Sequence, residues 1–83
     1  MRLLLLGTLG CHLCEQAEDI VKECSQQHGG VTIEQVDIAE SEQWQTHYAT
    51  RIPVLFHPDT AQDLGWPFDH TQVEKFMSEL NHG

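Results

Sequence analysis

The chain has 83 residues, 40% hydrophobic and 20% charged, which is room for one domain and too little charge for a disordered acidic tail. Thirteen Asp and Glu oppose four Lys and Arg, a formal net charge of −9. The cations Arg2, Lys22, Arg51 and Lys75 are scattered, so nucleic acid and an anionic membrane surface are excluded as partners.

The elements follow in chain order. Leu3 to Leu6 is a continuous apolar run ended by Gly7, as in a strand covered on both faces. With Met1-Arg2 before it and Thr8-Leu9-Gly10-Cys11 after it, the run imitates a lipoprotein signal. It is shorter than the ~7–15 apolar residues a signal needs, and the expectation is a cytoplasmic protein using its own start methionine. No apolar run approaches the ~20 residues of a membrane span. Gly7 to Gly10 reads as a loop. From about His12 the pattern is helical, with Leu13, Ala17, Ile20, Val21 and Cys24 on one face. Glu18 and Lys22 form a favourable i,i+4 pair, and Gly29-Gly30 ends the helix.

A strand is predicted near 31–36, carrying Val31 and Ile33, with a slip of phase toward Val36 and Ile38. Asp37 with Glu40, or Ser41 alone, caps a second helix near 40–50 whose buried stripe is Trp44, Tyr48 and Ala49. Pro53 to His57 is a short apolar strand, Pro58-Asp59-Thr60 a turn, and 61–66 a weak strand carrying Leu64 and Trp66. Asp69 with Gln72 resembles a capping box, and Val73, Phe76, Met77 and Leu80 predict a helix over 70–81. The order is β-α-β-α-β-β-α. The first two strands should be parallel through a right-handed crossover and the last two an antiparallel hairpin. The expected fold class is therefore α/β, a single domain over 1–83 with a four-stranded mixed sheet flanked by helices on both faces.

Cys11, Cys14 and Cys24 are an odd number, which points to reactive rather than stapling cysteines. Cys11-His12-Leu13-Cys14 falls where the first loop enters the first helix. Free N–H groups and the positive dipole end there stabilise a thiolate. A three-residue step brings both sulfurs within reach, so Cys11 can attack a disulfide and Cys14, one turn in, can resolve the mixed disulfide. Cys11 is expected to be the more exposed and more acidic thiol. Cys24 and His28 complete a superficial zinc-finger spacing. In one continuous helix, however, Cys24 would lie ~15 Å along the axis from Cys14, too far for a shared ion, so no metal is assigned. Cys24 reads instead as a buried, inert thiol. A protonated His12 could stabilise a thiolate, and Glu15 would oppose it. Trp44, Tyr48, Trp66 and Phe68 read as core, although the last two are also placed to line a groove beside Pro53. His28, His47, His57, His70 and His82 are dispersed.

The segments CHLC after LLLLGTLG, VDIAE, and YATRIPVLF resemble the glutaredoxin-like branch of the thioredoxin fold over nearly the whole chain. The resemblance implies a thiol–disulfide oxidoreductase with a redox-active Cys11–Cys14 pair. It also implies that Pro53 is cis and packs beside that pair, and that the Ile52 backbone pairs with substrate. Arg51 is a candidate for attracting an anionic partner or restraining a site carboxylate. Glutaredoxins usually carry a lysine before the first cysteine, a Thr-Val-Pro and a Gly-Gly-x-Asp turn. This chain has Gly10, Arg51-Ile52-Pro53 and Gly65-Trp66-Pro67-Phe68-Asp69 instead. The expectation is little glutathione-dependent activity, no tightly bound cofactor, and a disulfide-containing protein or small thiol as partner. A donor of the thioredoxin reductase type and a monomeric state are expected with it. The alternative is a non-catalytic thioredoxin-fold module that binds metal or a partner.

Overall fold

In the computed structural model, residues 1–8 and 10–81 are described; Leu9 of the predicted loop and His82 lie outside them. The element order is β1 (Arg2–Gly7), α1 (His12–His28), β2 (Thr32–Asp37), a 3-10 turn (Ile38–Glu40), α2 (Glu42–Tyr48), β3 (Val54–His57), β4 (Gln62–Gly65) and α3 (His70–Asn81). The sheet order is β2-β1-β3-β4. β1 pairs parallel with β2, and β3 pairs antiparallel with both β1 and β4. This is the expected mixed α/β sheet of thioredoxin-like type.

The central strand explains the layers. Side chains alternate between the faces of a strand, so four consecutive leucines feed two cores. Leu3 and Leu5 pack with Ala17, Val21, Leu55 and Met77, under α1 and α3. Leu4 and Leu6 pack with Ile38, Tyr48 and Val54, under α2. All four leucines are buried. A fully buried leucine contributes about 1.5–3 kcal/mol, so this short run is a main source of stability.

The helix ends follow local chemistry. Gly29 closes α1 at φ 64°, in the left-handed region that glycine adopts without strain, and its N–H donates to the Ser25 carbonyl at 3.2 Å. Glu18 and Lys22 pair at 2.7 Å on the outside of α1. At α3 the capping box is reciprocal: the Gln72 N–H donates to Asp69 Oδ1 at 2.8 Å, and the Asp69 N–H donates to Gln72 Oε1 at 3.0 Å. The His70 ring meets the Glu23 carboxylate, tying α3 to α1.

Four expectations are corrected. Leu13 is 45% exposed and not core, although it shares the helix face of the buried Ala17, Val21 and Cys24. The apparent slip of phase in β2 is not a slip. The register with β1 runs unbroken from Arg2↔Thr32 to Gly7↔Asp37. What changes is the apolar face, Ile33 joining the α1/α3 core and Val36 the α2 core. Asp37 does not cap α2; its carboxylate accepts from the Ala39 N–H at 2.9 Å and starts the separate 3-10 turn. α2 begins only at Glu42, and Ala49 is exposed behind it.

Candidate functional site

Strand β1 ends at Gly7, and the chain turns into α1 with Cys11 as the N-cap residue, φ −91° and ψ 110°. The Cys14 N–H donates to Cys11 Sγ at 3.2 Å. Cys11 thus takes the place of the usual Ser or Asp cap, with its sulfur against the helix N–H groups that best stabilise an anion. All three cysteines are free thiols in this structure. Cys11 and Cys14 are both half-buried. Burial pushes the Cys14 thiol up to about 11, aided by its hydrogen bond with the Cys11 side chain and opposed by one from the Thr8 backbone. Cys14 is therefore held as the neutral thiol at neutral pH.

Gly7 was overlooked in the sequence as a site residue. A Cβ there would stand 2.8 Å from Cys14 Sγ. A glycine at this strand end lets the thiol sit against the backbone, and a glycine closing an apolar strand was the available signal.

A cavity of about 340 Å³ opens beside the dithiol, between the first turns of α1 and the C-terminal half of β2. Cys11, Cys14, Glu15, Glu18, Gln35 and Asp37 are among its lining residues. The contribution of β2 was also missed. Parallel pairing carries the ends of β1 and β2 to one edge, which is where α/β sheets place ligands.

His12 points to solvent, its side chain 93% exposed and 3.8 Å from Glu15. Arg51 lies over the Tyr48 ring at 5.3 Å and 3.6 Å from Asp63, and the Tyr48 hydroxyl donates to the same carboxylate at 2.9 Å. The carboxylate that Arg51 meets is on β4 and not among the residues lining the dithiol cavity, and Arg51 does not line that cavity either, so the expected restraint of a site carboxylate is not what this contact provides. Cys24 is buried between α1 and α3, its thiol directed at the His70 carbonyl at 3.6 Å, and burial raises its pKa. Trp66 and Phe68 pack edge to face at 5.1 Å, with Phe68 in the α1/α3 core.

Pro53 is fully buried, and the Ile52–Pro53 and Trp66–Pro67 bonds are cis. Its carbonyl accepts from the Trp66 N–H at 3.1 Å. Extending the β1–β3 register by one position from Leu6↔Val54 sets Pro53 opposite Gly7, and hence one residue from the Cys14 contact. The Ile52 N–H is not free as expected. It donates to the Tyr48 carbonyl at 3.2 Å, because that last α2 carbonyl takes the amides of both Arg51 and Ile52. Among the described residues, no backbone donor takes the Ile52 carbonyl.

The sequence matches the family model described as glutaredoxin-like domain (DUF836) over residues 2–78. The chain belongs to this family. Its structure is similar to that of a structural-genomics target protein, XcR50 from X. campestris. The crystal structure of that protein is 28% identical with a TM-score of 0.79, the match covering 93% of this chain and 96% of that one. It is also similar to protein Ne2328 from Nitrosomonas europaea, at 25% identity and a TM-score of 0.76, covering 90% and 88% of the two chains. Thioredoxin 1 of Thermosipho africanus shares the fold at 13% identity and a TM-score of 0.73, covering 99% and 96%. No curated protein matches the sequence. Family and fold together support a thioredoxin-like redox role in general.

Proposed function

We propose that the protein is a thiol–disulfide oxidoreductase whose reactive groups are Cys11 and Cys14. The observation that carries this reading is the pair itself: two free thiols one helical turn apart at the α1 N-terminus, the Cys11 sulfur accepting the Cys14 amide at 3.2 Å. Cys11 as thiolate attacks one sulfur of a partner disulfide. That bond breaks, the released partner sulfur takes a proton, and a mixed disulfide forms. Cys14 then loses its proton and attacks Cys11 Sγ. This closes the Cys11–Cys14 disulfide and releases the second partner thiol. Two electrons have passed to the partner, and an external dithiol reductant, of the kind a thioredoxin reductase serves, restores the pair. The raised Cys14 pKa supports this order, since a neutral Cys14 does not compete as nucleophile.

Pro53 forms the wall behind the pair in this reading, and the Ile52 carbonyl offers one backbone acceptor to an extended partner segment. Gly10 at the position before Cys11, and the absence of any Lys or Arg among the described residues lining the cavity, speak for a protein disulfide over glutathione. No helix of the described residues is long and apolar enough to cross a membrane. A cytoplasmic location and a monomeric state are part of the proposal and rest on no observation of the structure. A titration of the Cys11–Cys14 pair against redox buffers, followed by turnover assays with glutathione and with a thioredoxin reductase system, tests the reading. A reversible two-electron transition is expected. A chain that shows none would be a thioredoxin-fold binding module.

A further inference from the structure

We infer that the cavity beside the dithiol selects partner disulfides flanked by basic residues, an inference that rests on the redox reading above. Among the described residues its lining carries three carboxylates, Glu15, Glu18 and Asp37, and no Lys or Arg. Three of the four Lys and Arg cations stand away from these carboxylates. Arg2 pairs with Glu34 at 2.7 Å, Arg51 faces Asp63 at 3.6 Å, and Lys75 lines a different cavity on α3. Lys22 pairs with Glu18 at 2.7 Å from one turn further along α1, offsetting one carboxylate and leaving Glu15 and Asp37. Asp37 accepts one backbone N–H, from Ala39. His12 stands 3.8 Å from Glu15 with its ring in solvent.

The carboxylates come from two elements that the parallel β1–β2 pairing brings to one edge, and they share the cavity with both reactive sulfurs. A partner chain whose cysteine enters this cavity must lay its neighbouring side chains against them. Lysine or arginine there gains attraction, whereas glutamate or a glutathionyl carboxylate meets like charge. The net charge of −9 steers in the same direction from further away. The arrangement also accounts for the chemistry of the acidic β2 end, which the attack on a disulfide does not itself use.

Three short peptides test this, each holding one disulfide and flanked by lysines, by glutamates or by neutral residues. Their rates of reduction by the reduced full-length chain are compared. The lysine peptide should react about tenfold faster than the glutamate peptide at about 0.02 M salt, and the ratio should shrink several-fold at about 0.5 M. Glu15→Gln/Asp37→Asn should bring the ratio down toward one. Glu74→Gln/Glu79→Gln on α3, with the same change in net charge, should leave most of it. Comparing peptides within each variant removes any common change in Cys11 reactivity. A ratio near one in the unmodified chain, or equal losses in both double variants, overturns the inference while the redox reading stands. Failure to reduce even the neutral peptide overturns both.

Discussion

At the scale of single residues, the two cysteines are made unequal by what surrounds them. Cys11 occupies the cap and holds the Cys14 amide; Cys14 sits against Gly7 and is pushed up to about 11. Cys14→Ser should therefore accumulate a mixed disulfide with a partner peptide, visible as an adduct by mass, and Cys11→Ser should form none. An adduct on Cys11→Ser would reverse the assignment. Gly7→Ala places a methyl 2.8 Å from the Cys14 sulfur and should cost about 1–3 kcal/mol in denaturant unfolding while slowing resolution more than attack. An unchanged midpoint would show that the strand end yields freely. The raised thiols also set a pH dependence. Burial lifts Cys14 from 9.0 to about 11 and raises Cys24, while burial together with the Asp63 hydrogen bond raises Tyr48. A group whose pKa rises on folding adds stability that is complete below its unfolded value and is lost as pH climbs through its folded value. Unfolding midpoints should thus be steady near neutrality and fall between about pH 9 and about pH 11. Cys14→Ser should flatten part of the decline, and a midpoint flat across that window would contradict the assigned burial.

At the scale of elements, local chemistry reads directly and long-range pairing does not. The Asp69–Gln72 box was legible because both partners lie within one turn, and it forms in both directions. Asp69→Ala should lower stability by about 1 kcal/mol, measured by denaturant titration, with no change in thiol reactivity far away at the α1 N-terminus. The dithiol was legible for the same reason, its spacing being a property of a single helical turn. Leu13 misled because periodicity marks a helix face without saying which of its positions are covered. Val36 misled because a strand that switches its apolar face looks like one that slips, and only the unbroken register with β1 separates the two. The Ile52 amide was out of reach because its acceptor, the Tyr48 carbonyl, depends on where α2 ends. Gly7, Gln35 and Asp37 became site residues through the parallel pairing of β1 and β2, which the sequence implied without their side-chain positions.

For the whole molecule, one strand of four leucines joins two cores and carries the dithiol at its end. Leu55 lies fully buried in β3, opposite Leu5, and Leu55→Ala should cost about 2–5 kcal/mol and loosen the strand that holds Pro53. The same short architecture puts Cys24 in the core between α1 and α3 and the other two thiols at the edge. Thiol mapping after equilibration with a mild disulfide oxidant decides between a working dithiol and three unrelated cysteines. Two thiols should disappear reversibly, Cys11 and Cys14 should be recovered joined to each other, and Cys24 should remain free until the chain is unfolded. Retention of all three thiols, or a disulfide that includes Cys24, would contradict the Cys11–Cys14 redox centre.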